Sequence, residues 1–201
     1  QASINYSSSS YKDRRSFDIT SLPPVLTNDE NCRVTVNDPP TLLTQACDRT
    51  SSSLRPVYSY DSRDSRLEPT RGMRISASVD YAGGFLGGNT DYYRPELGFS
   101  IYKPVSQFPV KTVFGFNVEG GLIRPLGGHR LFYFDRYLLG GEQSLRGFRY
   151  RQVWVRDKQG NTIVDEFGSP QGGEQFFQAN VEYHLLLGGP FRVVLFGDTG
   201  N

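Results

Sequence analysis

The side chains of this chain that could do chemistry are few and widely spaced. Ser144, His129 or His184 and a neighbouring aspartate can be drawn as a nucleophile, base and acid. No Gly-x-Ser-x-Gly surrounds Ser144, however, and no helical pattern follows it to lift the hydroxyl onto a nucleophile elbow. No catalytic residue is therefore assigned. Glu182 and Asp198 could be a general acid–base pair, but two carboxylates neutralised by an arginine are the commoner arrangement. The histidines lie far from Cys32 and Cys47, and Cys-x-x-Cys is absent, so neither a metal nor another cofactor is implied. Cys32 and Cys47 flank a Pro-, Asn-, Asp- and Thr-rich stretch; a disulfide there suits an oxidising compartment, two unpaired thiols being the alternative. The glycine pairs 83–84 and 140–141 precede no helix and suit loop flexibility better than phosphate binding.

The elements that must position these residues are strands. Period-two alternation runs through 72–83, where Met73, Ile75, Ala77, Val79 and Tyr81 oppose Arg74, Ser76, Ser78 and Asp80. It recurs in 92–105, 110–123, 174–187 and 191–199. In these runs every charged residue except Lys103 falls on the polar face of its strand, Glu182 and Asp198 among them. Two further strands are expected at 2–11 and at 54–61, where Tyr58 and Tyr60 oppose Arg55, Ser59 and Asp61. Tyr81, Phe85, Tyr92 and Tyr93 gather at one rim, as an interfacial aromatic girdle would. Asp61, Arg63 and Asp64 read as the organisers of a turn.

Length decides what such strands do. Strands of soluble proteins usually run about 5–6 residues. A strand of about 12 residues extends roughly 40 Å and, tilted by about 45°, crosses a hydrocarbon core about 30 Å thick. An apolar outer face and a polar inner face follow from lipid outside and water inside. The connections alternate in length: 12–53 is long, 62–71 short, 84–91 medium, 106–109 short, 124–173 very long and 188–190 short. The expectation is an all-β, antiparallel transmembrane barrel. About seven strands are present of a larger barrel of about 16, with 12–53 as a long outer loop. An open edge in lipid leaves backbone groups unsatisfied, so further strands are expected beyond both ends.

Composition agrees by exclusion. The 201 residues carry a net charge of +1, which offers no basic surface for nucleic acid. Mean hydropathy is −0.46, and no apolar run is long enough for a transmembrane helix, a statement that leaves a β-barrel open.

Within 124–173 stands Leu139-Gly140-Gly141-Glu142-Gln143-Ser144-Leu145-Arg146-Gly147-Phe148. This run resembles the LGG…VRGF loop signature of the BamA-type outer-membrane assembly proteins, the bacterial surface antigen family, with Leu145 where valine is commonest. Residues 58–72, 174–185 and 194–201 resemble, in order, that family's strand–turn–strand, the strand after the signature loop and the next strand. The resemblance covers most of 54–201. It implies that the loop folds back into the lumen and that Leu145, Arg146, Gly147 and Phe148 anchor it there, with Arg146 on Glu182 and Asp198. It further implies an integral protein of the Gram-negative outer membrane that folds and inserts β-barrel clients without ATP and without covalent chemistry. Its partners would be the outer-membrane lipid bilayer, unfolded client proteins, periplasmic repeat domains of its own chain and accessory lipoproteins. A sister branch that secretes a passenger or assembles autotransporters shares the loop. A reading of another class is a soluble extracellular β-rich binding module stapled by Cys32–Cys47, which predicts shorter strands and two polar faces.

Overall fold

The computed structural model describes residues 2–18, 32–36, 42–127, 131, 135–142, 144–153, 155–156, 159–163, 172–188 and 191–201; from 9 to 49 it describes backbone alone. Among the described residues, nine strands form one antiparallel sheet: β1 (Ala2–Asp18), β2 (Cys32–Val36), β3 (Leu42–Asp61), β4 (Gly72–Ala82), β5 (Tyr92–Ser106), β6 (Lys111–Leu122), β7 (Arg124–Pro125), β8 (Gln175–Gly188) and β9 (Phe191–Gly200). The main path, β1-β3-β4-β5-β6-β8-β9, holds seven strands, as the alternation required; β2 and β7 are short additions pairing with β3 and β5. The sheet is open, with β1 and β9 at its edges.

Register makes the alternation cooperative. Arg74 pairs with Ser100, Ser100 with Asn117, Asn117 with Asn180 and Asn180 with Asp198, so one polar row crosses β4 to β9. One position along, Tyr60, Ile75, Phe99, Val118 and Ala179 make an apolar row on the other face. A one-residue slip would exchange the two sets across several strands at once, and this fixes the pairing.

Burial runs opposite to that of a soluble sandwich. Asp80, Gln178 and Asn180 are buried, while Val79, Leu97, Phe177, Val181 and Leu195 stand exposed. A monomer surrounded by water rarely leaves so continuous an apolar surface uncovered. Together with strands of 11 to 15 residues from β4 to β6, this argues against the soluble binding module and for lipid on the apolar side.

Two expectations need correction. Residues 12–18, 32–36 and 42–53, expected within a long loop, are strand: β1 and β3 stay paired from Ala2–Tyr58 to Asp18–Leu42, and β2 pairs with β3 from Cys32–Cys47 to Val36–Leu43. Alternating polarity is required only where one face meets lipid. Elsewhere the ladder continues through serine, as in the Ser7–Ser53 and Ser8–Ser52 hydroxyl contacts of 2.9 and 3.3 Å. Residues 19–31 and 37–41 of that loop lie outside the described residues. Tyr92, expected in an outer girdle, is buried at 6% exposure on the polar face with Ala82 and Ile123. Adjacent strand residues point to opposite faces, so of the pair Tyr92–Tyr93 one had to turn inward. Tyr81 and Phe85 do stack at the rim, with ring centroids 5.8 Å apart.

Candidate functional site: the arginine loop on the polar face

The segment between β6 and β8 is closed at its base by the Ile123 N–H donating to the Glu174 carbonyl at 2.7 Å. Within it, Tyr137 and Gly173 exchange backbone hydrogen bonds of 2.9 and 2.8 Å, and the Val153 N–H donates to the Leu139 carbonyl at 3.0 Å. The loop thus carries short ladders of its own, which present 140–148 as a tight turn. Gly147 sits at φ 93°, in the left-handed region that favours glycine. At Gly140, φ is 112° and a Cβ would lie 2.5 Å from the Arg149 carbonyl oxygen. The Ser144 hydroxyl accepts the Gly140 N–H at 2.9 Å, which makes it part of the turn.

Arg146 leaves this turn toward the polar face of β8 and β9. Its Nε and Nη2 donate in parallel to the two oxygens of Asp198, at 2.8 and 2.6 Å, and its backbone N–H donates to Asp198 Oδ2 at 2.8 Å. Nη1 donates to Glu182 Oε1 at 2.5 Å. The guanidinium also lies 4.0 Å from the centroid of the Phe196 ring, a cation–π distance. Asp198 is 4% exposed, Arg146 22% and Glu182 24%. A forked, charge-assisted contact of this kind is directional as well as strong. It holds the Arg146 guanidinium protonated well above its ordinary value, chiefly through the hydrogen bonds to Asp198.

Of the residues singled out from sequence, Arg146, Glu182 and Asp198 are thus brought together. Leu145 is buried at 3% and rests on Gly200, where a Cβ would come within 3.1 Å of both its methyl carbons. Gly147 permits the turn, and Phe148 is 57% exposed. The His184 Nε2–H donates to Glu182 Oε2 at 2.8 Å. His129 lies outside the described residues, as do the side chains of Cys32 and Cys47, whose backbones are register partners on β2 and β3.

Sequence reasoning missed Asn180. Its amide donates to the Ser144 carbonyl at 2.8 Å and to Asp198 Oδ1 at 3.0 Å. Behind it, Asn117 donates to Asn180 at 3.2 Å and Ser100 to Asn117 at 2.9 Å. The polar row of the sheet is therefore a hydrogen-bonded chain that ends on the arginine loop. Its signal was the shared phase of Asn180 and Asp198 on neighbouring strands. A cavity of about 160 Å³ between loop and wall, bounded by Tyr102, Asn117, Glu142, Arg146 and Glu182, is polar enough to hold water.

The likenesses to known proteins point one way. Residues 2–201 match the Omp85 superfamily domain. The outer membrane protein assembly factor BamA of Nitratidesulfovibrio vulgaris is 29% identical over 126 residues, covering 63% of this chain and 15% of that protein. The sorting and assembly machinery component 50 homolog of Bos taurus is 30% identical over 141 residues, covering 70% of this chain and 27% of that protein. In fold, the chain is similar to the crystal structure of BamA from Haemophilus ducreyi lacking POTRA domains 1–3. The TM-score is 0.64 at 21% identity, with 83% of this chain and 32% of that chain covered. The sheet is thus the counterpart of part of a BamA-type barrel, and the chain spans well under half the length of these relatives. With a family match along nearly its whole length, this chain belongs to the Omp85 superfamily.

Proposed function

We propose that this chain is wall and internal loop of an outer-membrane β-barrel assembly factor, an integral protein that folds and inserts β-barrel clients into the outer membrane. The relatives that carry assembly in their names favour this branch over passenger secretion. No covalent step is involved: a client strand gains main-chain hydrogen bonds from an exposed sheet edge, and burial of its apolar face in lipid drives insertion. Partners follow from that reading: the outer-membrane bilayer, unfolded barrel clients, periplasmic repeat domains of the same protein and accessory lipoproteins. The rim carrying turn 62–71 faces the periplasm, and the long β1–β3 hairpin faces outward, where an oxidising environment suits a Cys32–Cys47 disulfide across paired backbones.

The observation that carries the reading is the docking of Arg146 on Asp198 and Glu182, a loop closed onto the lumen side of a wall whose other side is apolar. In this role Arg146 is a positioning residue that keeps the loop inside the barrel. The test uses the full-length protein in liposomes with an unfolded β-barrel client. It should speed client insertion over empty liposomes, and Arg146→Ala should lower that rate. A folded wild type that gives no acceleration overturns the assembly function. An Arg146→Ala variant as fast as wild type overturns the anchor.

A further inference from the structure

A second set of contacts holds the same loop on the far side of β6 from Arg146. The Tyr137 hydroxyl donates to Glu96 Oε1 at 3.0 Å. Glu96 Oε2 accepts from Arg55 Nη2 at 2.6 Å, and the same nitrogen lies 3.1 Å from the Ser78 hydroxyl. Glu96 therefore stands on β5 with its charge fixed from β3 and one oxygen turned toward the loop. One step toward the rim, Arg94 Nη2 donates to the Asp135 carbonyl at 2.7 Å, and its guanidinium lies 5.6 Å from the Tyr137 ring centroid and 5.2 Å from that of Tyr92.

The wall is shaped for this tyrosine. Its ring packs against the buried cluster of Ala82, Tyr92 and Ile123, with the Phe176 ring centroid 4.5 Å away. At Gly121 a Cβ would lie 2.9 Å from the Tyr137 hydroxyl and 3.0 Å from Glu96 Cγ, so any larger residue would fill the socket that the phenol enters. Burial, then the Glu96 charge, raises the phenol well above its ordinary value and keeps it a hydrogen-bond donor.

We propose that Tyr137 and Glu96 form a second anchor of the loop, independent of Arg146, so that the loop braces the β3–β5 wall against β8 and β9. Tyr137, Glu96 and Arg55 are then positioning residues, and the section from β3 to β9 moves as one body. The inference rests on the lumen reading of the polar face and on the loop anchor at Arg146, and it does not require the assembly function.

The two anchors separate in one experiment on the full-length protein inserted in lipid. Spin labels at Leu138 and Ile75 report the Tyr137 side, and labels at Arg149 and Val193 report the Arg146 side, as distance distributions. Tyr137→Phe keeps the ring and its packing and removes only the hydroxyl. Since a hydrogen bond to a charged group is worth more than the free energy of a factor of ten, it should raise the detached population on its own side roughly tenfold, leaving the 149–193 distribution unchanged. Glu96→Ala should do the same. Glu96→Gln, whose amide oxygen still accepts the hydroxyl but carries no charge, should loosen the 138–75 pair less than Glu96→Ala, a partial rescue that loss of packing alone would not give. Arg146→Ala should loosen the 149–193 pair only. A wild-type 138–75 distribution in Tyr137→Phe overturns the second anchor. Loosening of both pairs in Arg146→Ala overturns its independence while sparing the first anchor.

Discussion

Turn 62–71 and loop 124–173 both connect adjacent strands of the sheet, yet they satisfy their polar groups in opposite ways. The turn is nearly self-sufficient. Asp64 Oδ1 accepts the N–H groups of Ser65, Thr70 and Arg71 at 3.0, 2.9 and 3.2 Å, and Oδ2 accepts the Thr70 hydroxyl at 2.5 Å. Asp61 takes the Arg63 fork through Nε and Nη2, both at 2.9 Å. The loop, in contrast, borrows its partners from the wall: Arg146 reaches Asp198 and Glu182, Asn180 reaches the Ser144 carbonyl, and Tyr137 reaches Glu96. A connection of the first kind carries most of its partners with it; one of the second kind depends on β5, β8 and β9 being in place. The loop is therefore a reporter of the barrel, whereas the turn reports only itself.

The largest break in that contrast should come from Asp198→Ala. It strands the Arg146 guanidinium and its backbone N–H beside Glu182 alone, and removing one partner of a buried pair typically costs about 3–5 kcal/mol. Hydrogen exchange should then accelerate at 144–148 while the amides of Thr70 and Arg71 keep their protection. Equal acceleration in the turn would mean that the whole wall had been lost and that the two connections do not differ as described.

A smaller effect is expected at Gly200. Besides the Leu145 methyls, a Cβ there would meet the Phe177 carbonyl oxygen at 2.7 Å. Gly200→Val therefore overpacks the seat of Leu145, for about 1–3 kcal/mol, with every charge at the site intact. Proteolysis of the loop in the lipid-inserted protein should quicken, but less than in Asp198→Ala. A loop as resistant as wild type would show that Leu145 contributes nothing to docking and that the polar contacts hold it alone.

The same distinction governs what was legible in the sequence. β4, β5, β6, β8 and β9 were readable because lipid and lumen impose opposite polarity on alternate residues, and Glu182 and Asp198 inherited their face from that phase. The Asp61–Asp64 turn was readable because its partners are near neighbours. The upper halves of β1 and β3 were not, since a ladder such as Ser7–Ser53 carries no alternation. Arg146 entered through its resemblance to a known signature, since an Arg-Gly-Phe by itself carries little information. Tyr137 and Glu96 are ordinary residue types 41 positions apart, and their meeting depends on the hollow at Gly121, which register alone creates.

The smallest effect sharpens the comparison from the side of the turn. The Thr70 hydroxyl and backbone, followed by the Arg71 and Ser65 amides, hold the Asp64 carboxyl well below the usual carboxylate range. A carboxyl whose folded value is depressed contributes stability above its unfolded value, near 3.9, and that contribution fades as pH falls through the folded value. The turn should therefore keep its Thr70 and Arg71 amide protection at pH 4, where an ordinary aspartate is about half protonated, and lose it only in stronger acid. Asp64→Asn, which retains one acceptor oxygen but no charge, should weaken that protection at neutral pH and flatten its pH dependence without loosening Arg146. If acid frees Thr70 and Arg71 only in step with 144–148, the turn is not the more autonomous of the two connections, and its order too is borrowed from the wall.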